Sequence, residues 1–288
     1  MNQLIEKISW LPYNILCRIR DNGQKIAELD LQKVGINRKF SFDVIPEDEG
    51  LSTQLRTFKI REPVNLRYYW KFVSPEDVVL DLGANIGVFS ALSSNANKII
   101  SVEPLEKAIP YLKKNLEING LSGKSEVITM AGGKKGWLFL EEDEKLNLSK
   151  IVDAENERTK KVRSEPLSYF AKKYKANLLR MDVEGYEYEI LYKNIPKEIN
   201  KISIEFHTKL LGKNKAEELI DYFYREGFIV EILIEDLPIR LYPLHGFLRK
   251  THLIKRFTYV KKNLSKEEVV RLVNDGRAQK YLFLRRIK

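Results

Sequence analysis

Three short stretches of the chain hold the residues that could do chemistry. In Val78–Ser90, VVLDLGANIGVFS, an apolar run ends on Asp81 and is followed by Gly83, Asn85 and Gly87. Glycines at a spacing of four let the backbone turn sharply and approach a ligand with no Cβ in the way. The helix expected next opens with unpaired N–H groups and the positive end of its dipole, which suits an anion. The second stretch, KIISVEP, puts Glu103 twenty-two residues after Asp81, at the end of another apolar run. A carboxylate there can accept hydrogen bonds from both hydroxyls of a ribose. The third, RMDVEGYE at 180–187, offers Asp182 and Glu184 beside Gly185, and IEFH at 204–207 adds Glu205 and His207.

Two nucleotide cofactors fit the first two stretches. A dinucleotide site would show GxGxxG and an uncharged first turn with room for pyrophosphate. Here the spacing is GxxxG, and Asp81 would set a negative charge against those phosphates. S-adenosylmethionine carries an ammonium group that Asp81 could pair, a carboxylate for the helix end and no phosphate. The spacing favours the methyl donor.

The elements that must position these residues follow from periodicity. From residue 77 onward short apolar runs alternate with helical stretches, the pattern of a parallel sheet covered by helices. Strands are expected at 77–83, 98–103, 125–131, 177–183, 201–207, 228–234 and 280–286, with a short extended piece at 136–140. Helices are expected from about Gly87, and over 105–119, 167–174, 187–193 and 216–226; Ser265 and Glu268 form a capping box that starts another. The fold class is therefore α/β, a Rossmann-like, seven-stranded, mostly parallel sheet with helices on both faces. Residues 1–75 read as an N-terminal addition packed on the core, and 76–288 as the main domain with an insertion at about 237–262, where Pro238, Pro243 and Gly246 fall among aromatics. Residues 141–163, rich in Glu, Lys, Asn and Arg, read as an exposed, mobile loop. The aromatics Tyr68, Tyr69, Trp70 and Phe72 read as core before sugar platform.

Charge and composition bound the partners. Fifty Lys and Arg against forty Asp and Glu leave a net charge of +10. From Arg240 to Lys288 there are fourteen cations and three acids, so this segment nets +11 and the rest of the chain about −1. Such a segment, with Tyr242, Phe247, Phe257, Tyr259 and Tyr281 interleaved, could hold single-stranded RNA. The single Cys17 excludes an internal disulfide and any four-thiolate zinc site. No run reaches eighteen apolar residues, and the opening segment makes a poor signal peptide, so the expectation is a cytoplasmic protein. Docking of Ile5–Ile19 on a membrane surface is disfavoured.

The three stretches together resemble class I methyltransferases, and more narrowly the FkbM family. DLGANIG at 81–87, SVEP at 101–104 and RMDVEGYE at 180–187, with IEFH about twenty residues later, carry the resemblance, which covers roughly residues 60–235. It implies a methyltransferase using S-adenosylmethionine, with Asp81, Gly83, Asn85, Gly87 and Glu103 binding the cofactor. The backbone near Met130, Ala131 and Gly132 would meet the adenine, and Asp182 and Glu184 would face the reaction centre. Arg61-Glu62-Pro63 resembles a stretch that recurs in the family and adds Glu62 to the cofactor residues. Arg180 stands where members usually have lysine, and AGGKKG replaces a more typical turn after the third strand.

The end of the fourth strand bears on the acceptor. The Asn/Asp-Pro-Pro-aromatic turn that serves exocyclic amines is absent there, and Cys17 lies far from any motif. Two carboxylates beside a glycine suit deprotonating or orienting a hydroxyl, so oxygen methylation is expected, on a glycan or small molecule as the family resemblance implies. Methylation of RNA through residues 240–288 is the alternative, and a degenerate fold without turnover is argued against by Asp81, Glu103 and Asp182. Asp182 is the first choice to orient the acceptor or act as base, and His207 is the alternative. Glu184 and Glu187 could instead cap the next helix, and Glu205 could pair a lysine. No tight ligand spacing announces a metal through Asp182, Glu184 and His207, and none is expected.

Overall fold

Alternation builds the first two strands. In Ile26–Asp30 (β1) and Lys39–Asp43 (β2) every second side chain is buried, and the two strands pair antiparallel. A computed structural model describes residues 24–143, 148–152, 154–236, 258–275 and 280–287, with isolated positions between 13 and 19 and between 241 and 250. Two helices follow the hairpin, Leu51–Phe58 (α1) and Pro63–Phe72 (α2), the second opening on a proline whose missing N–H needs no partner there. Asp236 accepts from the N–H groups of Val64 at 3.0 Å and Asn65 at 2.7 Å, tying the start of α2 to distant chain.

The main sheet begins with Val78–Leu82 (β3), Val88–Leu92 (α3), Lys98–Val102 (β4), Ile109–Ile118 (α4) and Ser125–Ile128 (β5). Ala131–Gly132 (β6), Gly136–Glu141 (β7), Lys150–Val152 (β8) and Thr159–Glu165 (β9) come next, then Leu167–Tyr174 (α5) and Leu178–Met181 (β10). The chain continues through Glu187–Leu191 (α6), Lys201–Phe206 (β11), Thr208–Leu211 (α7), Lys213–Arg225 (α8), Phe228–Glu235 (β12), Tyr259–Lys262 (β13), Lys266–Val273 (α9) and Lys280–Arg286 (β14).

Strand order in the main sheet is β13-β12-β14-β11-β10-β3-β4-β5. The five strands from β11 to β5 run parallel, and β14 enters antiparallel between β11 and β12. Among the described residues the sheet thus has eight strands, where seven were expected. The extra strand, β13, comes from the stretch assigned to an insertion and pairs antiparallel with β12. Most of 237–257 lies outside the described residues.

The two sheet faces are covered differently. Leu80 and Leu82 of β3 pack with Met181, Ile190 and Phe223 on one face. Val79 faces the other way, into a core shared with β1, β2, α1 and α2. The N-terminal segment is fastened to that face: Tyr69 packs edge-on to Phe89 at 5.1 Å and Phe72 to Phe283 at 5.2 Å. The Asn115 side chain accepts from Asp43 N–H at 2.6 Å and donates to the carbonyls of Asp43 and Ile86. Tyr69 and Phe72 are core, as their pattern indicated.

The reading of 141–163 as an exposed loop is corrected. β8 and β9 join β6 and β7 in a four-stranded sheet of order β6-β9-β7-β8. The extended piece expected at 136–140 is β7; the other strands are hidden in the sequence because Ile151, Val152 and Val162 sit in short pieces among lysines and acids, and only pairing sets Ile151 opposite Leu140 and Val162 opposite Leu138.

Candidate active site

The ends of β3, β4 and β10 meet at one cleft of about 850 Å3, part of it open to solvent. Gly83, at φ +79°, is where β3 turns, and a Cβ there would fall 1.8 Å from the carbonyl oxygen of Asp182. That contact lets the loops after β3 and β10 form one wall. Gly87, at φ +91°, sits behind the wall against Leu112.

Glu103, one residue past β4, lines the cleft and accepts from Asn85 N–H at 2.7 Å and Leu105 N–H at 2.8 Å, one on each oxygen. Burial pushes its carboxyl up to about 7, against those two bonds. Met130, Ala131 and Gly132 continue the wall. Leu140 and Ile151 of the second sheet, with Ser149 just before β8, close it on one side, and Leu51 and Arg61 of the N-terminal segment on another. Neither closure was legible in the sequence.

Asp81 does not face this cleft. Its side chain shares the sheet face of Val79, is wholly buried, and accepts from Ser90 Oγ at 2.6 Å and Arg180 Nη1 at 3.3 Å. The reason is register: Arg180 of β10 lies directly opposite Asp81 of β3. Arg180 also donates to the Gly83 carbonyl at 3.1 Å and to Asp182 at 3.0 Å, and its guanidinium stacks 4.0 Å from the centre of the Phe89 ring. The direct ion pair between Asp81 and an ammonium group is therefore not available in this arrangement. Glu62 is likewise off the cleft wall, held by Asn65 and Arg61; of the pair it forms with Arg61, the arginine faces the cleft.

At the other end the chain leaves β10 after Met181 and turns, with Glu184 at φ +49° and Gly185 at φ +99°. Because the strand has ended, Asp182 and Glu184 both reach the cleft. A non-glycine residue in this region costs on the order of 1 kcal/mol or more and clusters at functional sites. Burial acts to raise the Asp182 carboxyl, but Arg180 and His207 outweigh it and hold it below the usual range. Glu184 is pushed up to about 8 by burial and by the Asp182 charge beside it. Glu205 is raised to about 7 for the same two reasons. His207 would lose its proton to burial alone, yet Glu187 and Glu205 raise it well above the ordinary imidazole value.

The structure thus brings Asp182, Glu184 and His207 together with Glu187 and Glu205. Glu205 faces His207 rather than a lysine, and Glu187, the last residue of RMDVEGYE, binds His207 instead of serving only as a helix start. Arg180 is the residue whose role the sequence left unread; its spacing of two from Asp182, just past the strand, was the available signal.

The Methyltransferase FkbM domain matches residues 81–230, just over half of the chain. The chain belongs to this family. It carries a methyltransferase domain of the kind that uses S-adenosylmethionine. The cleft fits that group: each Glu103 oxygen keeps a lone pair beyond its backbone bond for a ribose hydroxyl, and Met130 and Ile151 offer apolar surface.

Among other proteins, a tRNA (guanine(37)-N(1))-methyltransferase, Trm5b of Methanocaldococcus jannaschii, is 44% identical over 54 residues. That match spans 19% of this chain and 16% of Trm5b. The crystal structure of the M. jannaschii tRNA m1G37 methyltransferase is 18% identical, covering 86% of this chain and 52% of that one, with a TM-score of 0.43. Streptococcus pneumoniae Sp1610 in complex with S-adenosyl-L-methionine is 13% identical over 78% of this chain and 74% of its own, with a TM-score of 0.41. Among the described residues, no helix is long and apolar enough to cross a membrane.

Proposed function

We propose that the protein transfers the methyl group of S-adenosylmethionine to a hydroxyl oxygen of a glycan or small molecule. The observation that carries this reading is the convergence of Asp182 and Glu184 on the cleft that Glu103 shares. The cofactor supplies an electrophilic methyl group on a good leaving group, so the protein needs to align the reactants, exclude water and accept one proton. Glu103 holds the ribose, and the backbone at Met130–Gly132 lies along the adenine. Asp182, its charge already met by Arg180 at 3.0 Å, orients the acceptor. Glu184, raised to about 8 by burial and the Asp182 charge, takes the hydroxyl proton in its ionised form. Asp81 acts from behind, fixing Arg180.

RNA is the second reading, favoured by the tRNA substrate in the name of the curated relative and by the charge of residues 240–288. Several cations of that segment already have partners. Lys280 is buried on Glu235 and Asp275, Arg285 pairs Glu231 at 2.8 Å, and Arg286 donates to the carbonyls of Ile199 and Glu226. This leaves less of the +11 for phosphates than the sequence offers.

Incubation with a labelled methyl donor and fractionated cell extract tests both. Label in glycans or small molecules is expected. Label that disappears from the macromolecular fraction on nuclease treatment would replace the first reading by the second.

A further inference from the structure

Four carboxylates and one imidazole meet at the ends of β10 and β11 with few donors among them. Met181 and Ile204 are the last register pair of these parallel strands, so Asp182 and Glu205 stand side by side just beyond it. His207 follows two residues after Glu205. Its Nδ1 lies 2.5 Å from Oε1 of Glu187, a wholly buried carboxylate that also accepts from Gly185 N–H at 3.2 Å.

That bond turns Nε2 toward three other carboxylates: Glu184 at 3.3 Å, Glu205 at 3.6 Å and Asp182 at 3.9 Å. None of them gives Nε2 a hydrogen bond. Nε2, Asp182 Oδ1 and Glu205 Oε2 are all buried without a hydrogen-bond partner. His207 is 4% exposed and Glu205 5%. Each unsatisfied buried polar group costs about 1–3 kcal/mol, more when charged, so the arrangement is incomplete as it stands.

We propose that Asp182, Glu205 and His207 bind a divalent metal ion, with Glu184 on its cleft side. One ligand atom from each of the three lies within 4.8 Å of the others. Bonds of about 2.0–2.2 Å in a tetrahedral shell put ligands some 3.3–3.6 Å apart, so the three donors close in by about an ångström around the ion. The position of Glu187 then has a reason. A carboxylate on Nδ1 keeps a proton there and orients the ring, so an ion entering between the carboxylates displaces the Nε2 proton to solvent and takes its lone pair, the usual support of a metal-bound histidine. Oxygen donors with one imidazole and no thiolate select an ion of the manganese and zinc class over copper(I), and the nitrogen disfavours calcium. An ion here could also hold an acceptor oxygen beside the methyl donor. That role rests on the hydroxyl reading above; the binding of the ion does not.

The test is titration of chelator-stripped protein with manganese(II), following the free ion by its electron paramagnetic resonance signal. One bound ion per chain is expected, displaced by zinc. Glu205→Gln, which keeps the side chain's shape, should weaken binding at least tenfold, and Glu187→Gln by about 10–100-fold through loss of the imidazole's orientation. S-adenosylmethionine affinity, measured separately by calorimetry, should stay within threefold in both variants, which also shows that they fold. Absence of saturable manganese or zinc binding up to millimolar concentration would overturn the site, as would unchanged affinity in both variants. Loss of S-adenosylmethionine binding by the unmodified protein would instead remove the proposed reaction and leave the metal count standing.

Discussion

The two ends of the cleft hold carboxylates in opposite condition. At one end both oxygens of Glu103 accept backbone N–H groups from the loops after β3 and β4. At the other, Asp182, Glu205 and His207 bury atoms with no partner, and Glu184 stands in a left-handed conformation. The contrast separates a cradle the backbone finishes during folding from a cluster that only a further component can complete. Cofactor binding should therefore survive changes that abolish transfer, and the reverse should not hold.

The largest effect expected is on turnover. Asp182→Asn should lower kcat by about 10²-fold, the loss expected when the acceptor is no longer held in line, with cofactor affinity within threefold by calorimetry. Parallel loss of both would dissolve the contrast between the two ends. Gly83→Ala should harm both ends together, since its Cβ would meet the Asp182 carbonyl at 1.8 Å. Destabilisation of about 1–3 kcal/mol, read from urea midpoints, is the expected result.

Glu103→Ala should weaken S-adenosylmethionine binding about 10–100-fold, the loss of one or two hydrogen bonds to a charged acceptor, while kcat at saturating cofactor changes little. A variant that binds cofactor as well as the unmodified chain would break the ribose assignment. The same residue carries a pH dependence. Burial raises the Glu103 carboxyl from 4.5 to about 7 in the folded chain. Its contribution to stability is full below 4.5 and is lost as pH rises to about 7, at no more than about 1.4 kcal/mol per pH unit. Glu103→Gln should remove that slope, which urea midpoints measured from pH 5 to 8 will show; parallel profiles would mean that Glu103 does not titrate in this window. The smallest effect belongs to the second sheet's surface. The Lys160–Glu142 pair at 2.7 Å is largely solvated at the lysine, so Lys160→Ala should shift stability by less than about 1 kcal/mol in thermal denaturation.

Much of the parallel half of the sheet was legible. Asp81, Gly83, Gly87 and Glu103 lie at strand ends and turns because runs of apolar residues, read locally, mark β3 and β4. Asp182 and Glu184 were legible as a pair, and their sharing of the cleft followed once β10 was seen to stop at Met181. The misreadings have a common cause. Asp81 was assigned to the ligand because its spacing is right, but spacing does not show which sheet face a strand-end side chain takes. Beyond the extended piece at 136–140, the second sheet was missed because its apolar residues are thinly spread through 148–162.

By itself the sequence determined the α/β pattern, the glycine turn after β3, the carboxylate at the end of β4 and the family, since each depends on neighbours within one strand, turn or helix. Only the tertiary structure decided that Arg180 neutralises Asp81, that five residues from β10, α6 and β11 surround one point, and that Leu51, Arg61 and Ile151 close the cleft. These depend on register between strands and on which face each residue buries. Such relations between distant segments are set by packing, and no single stretch of sequence carries them.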